Sequence, residues 1–218
     1  MVKCSLDTNM VAILATIYAC KNEGRSADSA YKDLVADGFT YGVDVFRRAC
    51  KILKKIENDE VKIAISPIVA EELHHPNIPK DKVQKIDTFL FEQRTEVIDT
   101  ENFDYAPLVA FYFQAMGEEG VRCFKEKSVN DAYIMAHTTY AGLPLVTCNF
   151  SDFTKGQRPE RIRQRNEMFY KNNHLENDAR ISPKFKQSMP YTPYHFVEEY
   201  LPKAEREFKF NNENMRGM

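Results

Sequence analysis

The sequence predicts an α/β fold in which a mainly parallel sheet is covered by helices on both faces. Three observations carry that prediction. Short runs rich in β-branched residues alternate with segments of helical period as far as residue 148. Such a βαβα rhythm closes most simply into parallel strands joined by helical crossovers. The 218-residue chain is 43% hydrophobic and 28% charged, which suffices for one ordinary core with elaborations.

The first strand is "VKCSL", followed by an apolar helix over 9–21. From Val45, apolar residues at Phe46, Ala49, Ile52, Leu53 and Ile56 recur at three and four, the stripe of an amphipathic helix. "VKIAIS" (61–66) alternates at period two and reads as a strand, and Pro67 opens a short helix over 67–73. A helix over 81–93 and a strand "TEVID" (95–99) follow. Two further helices are expected, 104–116 ending at Gly117 and 129–141 closed by Gly142, before a last strand "LPLVTC" (143–148). The domain reading is 1–153 with a polar insertion over 22–43, then a charged helical extension over 154–218 with helices near 158–171 and 194–208.

The net charge of −2 gives no overall basic field, so nucleic-acid binding would need a local patch. Five scattered cysteines without a CxxC pair point to a reducing compartment, and a cytoplasmic, membrane-free protein is expected. The longest apolar stretch, 10–20, is too short to span a bilayer. No GxxxxGK[ST] or GxGxxG run is present, which argues against a P-loop or dinucleotide enzyme. A phosphatase of the haloacid-dehalogenase type would need a second acid where Asn9 stands. His74 and His75 would point to different faces of a helix, and no histidine is placed to activate Cys148.

The informative residues are acidic. In an open parallel sheet, ligands bind beyond the carboxyl ends of the strands. Asp7 follows the first strand; Glu71 and Glu72 lie in the helix after the second; Asp131 lies in the first turn of the helix before the last strand; Asn149 and Asp152 follow that strand. Each has a plain structural role as well. Asp7 suits a helix cap, Ser128 and Asp131 match a capping box, and "NFSD" suits an Asx turn. Together, however, they gather at one edge, where carboxylates without a cation would repel and one would hold its proton. Hard divalent cations resolve such a cluster.

These residues also carry a resemblance. "SLDTN", the Ser66–Leu73 segment with its Glu-Leu, "NDAYIMA" and "LVTCNFSDF" are similar, in order and flanking residues, to the PIN-domain ribonucleases, including toxins of VapC type. The resemblance spans roughly 1–153 and implies a three-layer α/β/α domain that cleaves RNA with Mg²⁺ or Mn²⁺. It makes Asp7, Glu72, Asp131 and Asp152 the metal carboxylates, favouring Glu72 over Glu71, and puts Thr147 and Asn149 on the substrate. It further implies a homodimer and, for a toxin, an antitoxin that inhibits it. A non-catalytic nucleic-acid-binding or scaffold domain and a structure-specific DNA nuclease are the alternatives. Downstream, Lys155–Lys186 holds nine basic against four acidic residues. Arg158, Arg161 and Arg165 recur there at helical spacing, which is expected to set them on one face to hold phosphates.

Overall fold

The computed structural model describes residues 1–114, 122–125, 128–182 and 184–206. Strand β1 (Val2–Leu6) leads into α1 (Thr8–Asn22), α2 (Ala27–Ala36) and α3 (Gly42–Glu57). Strand β2 (Val61–Ile65) is followed by α4 (Pro67–Leu73) and α5 (Lys80–Glu92), and β3 (Glu96–Val97) by α6 (Ala106–Phe113) and α7 (Val129–Tyr140). Strand β4 (Leu145–Val146), a π-helical turn (Phe150–Thr154), α8 (Arg158–Asn172) and β5 (Pro190–Tyr191) complete the sheet, and helical turns over 193–206 follow.

The sheet runs β3-β2-β1-β4-β5 with every pairing parallel, so the predicted α/β fold is the observed one. From β1 the chain steps outward to β2 and β3, then returns to lie on the other side of β1. The right-handed crossover rule applied to this order puts α1, α3 and α5 on one face and α6, α7 and α8 on the other. The packing agrees: α1 lies against α2, α3 and α5, while α6 lies against α7 and α8. The reversal between β1 and β4 is the point where such sheets open a crevice.

Covered by three helices, α1 is apolar nearly all round and buries Met10, Val11, Ile13, Leu14 and Ile17. The 22–43 insertion supplies one of those covers, α2, capped by Ser26 on the Ser29 N–H. Gly142 closes α7 at φ +66°, and a Cβ there would collide with Ser182. A left-handed residue and a close approach thus coincide at one position.

Several expected boundaries shift. The strands over 95–99 and 143–148 shorten to two residues each, and the helix over 104–116 is Ala106–Phe113. Gly117, expected to end it, lies outside the described residues. The fifth strand was not foreseen: two residues beginning with proline give no alternation to read. Through it the 154–206 segment joins the sheet, with Leu145 opposite Pro190 and Val146 opposite Tyr191. The segment also buries Ile162, Phe169, Phe185, Phe196 and Leu201 in the common core.

Candidate active site at the sheet reversal

Register sets the site. Leu6 pairs with both Ile65 and Val146, so three strands end at one level. The next residues, Asp7, Ser66 and Thr147, emerge side by side at the crevice.

Asp7 answers the choice between cap and functional carboxylate by being both. One oxygen caps α1, accepting the Met10 N–H at 2.7 Å, and the other accepts the Thr147 hydroxyl. At 3% exposure the side chain is almost dry. Burial pushes its pKa up to about 6, against the pull of the Thr147 and Met10 hydrogen bonds. Thr147 is itself fixed, since its hydroxyl accepts the Asn149 N–H at 2.9 Å.

Asp131, in the first turn of α7, is pushed up to about 7, first by burial and then by the charges of Asp152, Glu72 and Asp7. The other three predicted carboxylates thus lie near enough for their charges to act on Asp131. The Asn149 amide lies 3.5 Å from both its oxygens. The expected capping box is absent: Ser128 makes no side-chain cap, and its N–H goes to the Lys125 carbonyl instead. Asp131 points to the crevice rather than back along its own helix.

Of the adjacent glutamates, Glu72 faces the site and accepts the Thr8 hydroxyl and, at 3.0 Å, the Asn130 amide; Glu71 is exposed. Asp152 sits in the π-helical turn, where its N–H and the Ser151 hydroxyl both bond Asn149 Oδ1, at 3.3 Å and 3.0 Å. The Ser151 hydroxyl also bonds Asp152 Oδ2, while Asp152 Oδ1 is buried with no partner among the described residues. Thr8 and Asn130 were missed from the sequence, although each is the immediate neighbour of a predicted carboxylate.

The donor set suits a hard divalent cation, being all carboxylate, mutually repelling and carrying one orphaned oxygen. Among the described residues, however, no three acidic, histidine or cysteine side chains are gathered closely enough to enclose an ion. Neutral partners hold three of the carboxylates separately: Thr147 bonds Asp7, Asn149 bonds Asp131, and Thr8 and Asn130 both bond Glu72.

The basic face does not form as expected. Arg165 is 3% exposed; its guanidinium donates to the Phe111 and Gln114 carbonyls and lies 4.9 Å from the Phe111 ring centre. It closes the end of α6 and is not open to a phosphate. Arg158 donates to the Ser151 carbonyl at the rim of the site, and Arg161 is half-buried on the same helix. Three other basic residues of the segment are in ion pairs, Arg163 with Glu160, Lys171 with Glu167 and Arg180 with Asp178.

Other reactive groups are spent on structure. Burial pushes the Cys148 thiol well above its ordinary range, and His74 is held by the Ala70 carbonyl and Asp87. Ser66 and His137 form a buried pair at 2.7 Å, and burial lowers His137 to about 4, leaving it neutral at pH 7.

No protein-family model matches the chain, and no curated protein does. Among solved structures it is similar to VapBC2 from Rickettsia felis bound to a DNA fragment from their promoter. That likeness is 21% identical, covers 72% of this chain and 95% of that one, and has a TM-score of 0.38. Among the described residues no helix is long and apolar enough to cross a membrane.

Proposed function

We propose that the protein is a metal-dependent endoribonuclease of the PIN-domain type. One observation supports the reading: Asp131 is buried beside the sheet reversal within reach of the charges of Asp152, Glu72 and Asp7, which together with burial raise it to about 7. A crevice that collects repelling carboxylates costs stability, and metal-assisted phosphodiester hydrolysis gives them a use.

In this reading Asp7, Asp131 and Asp152 hold Mg²⁺ or Mn²⁺, with Glu72 direct or through water. When bound, the ion supplies an activated water and stabilises charge on the phosphate oxygens. Mg²⁺ is often held by one or two carboxylates with retained waters and substrate phosphate, so a loose protein set is compatible with it. Thr147 fixes Asp7, and the Asn149 amide orients Asp131. Arg158 and Arg161 hold the strand beyond the scissile bond, a role from which the burial of Arg165 removes it. A homodimer, and an antitoxin partner if the protein is a toxin, belong to the same proposal.

A non-catalytic nucleic-acid-binding domain is the second reading, favoured by the separate hydrogen bonds that keep the carboxylates apart. Calorimetric titration with Mn²⁺, together with cleavage assays on single-stranded RNA and DNA of one sequence, separates the two. The nuclease reading expects Mn²⁺ binding and RNA cleavage that are both lost in Asp131→Asn. Binding of RNA without cleavage in Mg²⁺ or Mn²⁺ selects the second reading.

A further inference from the structure

A pocket of about 400 Å³ opens beside the carboxylate crevice, walled by α1, α5, the 77–79 loop and the 37–41 turn of the insertion. That volume is in the range of small-molecule sites and far below what a folded partner needs. Thr8 belongs to both places, lining the pocket while its hydroxyl bonds Glu72. Whatever fills the pocket therefore lies one residue from the proposed reaction centre.

The lining has three chemically distinct parts. Phe39 and Tyr41 meet edge to face at 5.5 Å, and Tyr41 continues at 5.5 Å to Phe150, the residue after Asn149. This aromatic wall runs from the pocket to the rim of the crevice. Asn9 and Asn77 bring amides that both donate and accept. Lys82 and Lys85 stand one turn apart on α5, with Lys82 bridging to Asp37 of the insertion at 2.7 Å. Rings to stack on, amides to read an edge and a lysine for a phosphate match the parts of one nucleotide.

We propose that this pocket is the subsite for the nucleotide next to the cleaved phosphodiester, with its base against Phe39 and Tyr41 and its distal phosphate at Lys85, Lys82 being bridged to Asp37. The inference rests on the nuclease reading, and it gives the 22–43 insertion a job: the insertion builds the aromatic wall and sets which base is accepted. A peptide segment of a partner protein is the competing occupant, and the aromatic wall with Lys85 beside it favours the nucleotide.

The test uses the full chain without metal, titrated with AMP, GMP, CMP and UMP and followed by amide NMR shifts. At least one nucleotide is expected to shift Ala12, Thr16 and Lys85. Ala12→Phe, which fills the pocket from α1, should weaken that nucleotide about tenfold and move the preferred cleavage position in RNA. Lys85→Glu, on the half-exposed face of α5, should weaken it without altering the fold. No shift with any of the four nucleotides, or unchanged affinity in both variants, overturns the subsite. Nucleotide binding without metal-dependent cleavage keeps the subsite and overturns the nuclease reading. Cleavage whose position is unmoved by Ala12→Phe does the reverse.

Discussion

Asp7 carries two duties whose charge requirements conflict. As a cap it gains from being ionised beside the Met10 N–H, yet burial disfavours that charge and lifts its pKa from 3.8 to about 6. Between those values the folded form holds a proton that the unfolded form has lost, so stability falls as pH rises through that window. The cost is complete above about 7 and absent below about 4. Asp7→Asn keeps the cap and removes the charge. The metal-free variant should be more stable than wild type at pH 8, by up to about 3 kcal/mol, and should match it at pH 4. Thermal melts at the two pH values check this, while cleavage should be lost at both. At Asp131, raised to about 7, metal entry must expel the proton it holds below that pH. Mn²⁺ affinity should therefore rise with pH through 7, with about one proton released per ion. Calorimetry in buffers of different ionisation enthalpy reads that proton directly, and a pH-independent affinity would place the ion elsewhere.

Element by element, α8 departs furthest from its sequence pattern. Its arginines at helical spacing read as one cationic face, but the helix turns Arg165 and Asn166 into the core. Asn166 accepts the Tyr112 hydroxyl at 2.7 Å and donates to the Ser188 carbonyl at 2.8 Å. Arg165 takes carbonyls at the end of α6, groups a helix leaves unsatisfied there. Arg165→Ala should then cost about 2–4 kcal/mol, since buried acceptors lose a charged donor, with RNA affinity per folded molecule unchanged. Arg158→Glu should do the opposite, leaving the melting temperature alone while weakening RNA binding and flattening its salt dependence. Spacing told which arginines share a side of a helix but not whether that side meets solvent, because α6 arrives from a distant part of the chain. The long elements were legible for the converse reason: α3 and Pro67–Leu73 announce themselves through local periodicity and capping. The carboxylates were legible because each adjoins a strand or helix end. Thr8 and Asn130 acquire meaning only once Glu72 is brought to them from another helix.

Across the whole molecule, the sheet reversal and the closing strand depend on each other. Thr147 donates its N–H to the Tyr191 carbonyl and its hydroxyl to Asp7, so β5 steadies a residue of the crevice. A chain ending at residue 153 would lose β5 and expose the core side chains against which Phe169, Phe185 and Phe196 pack. It is expected to be insoluble or to lose its cooperative melt, whereas ending at residue 206 should leave melting temperature and Mn²⁺ affinity intact. Paired melting and titration experiments on the two truncations check this.

The brevity of the two outermost strands bears on how the molecule meets others of its kind. Each is two residues long, and one of them begins with a proline that has no N–H to offer. Long, regular outer strands are templates on which foreign chains add and aggregates grow. Here there is almost no template at either margin. Self-association of the folded protein is thereby steered away from open-ended stacking of sheets.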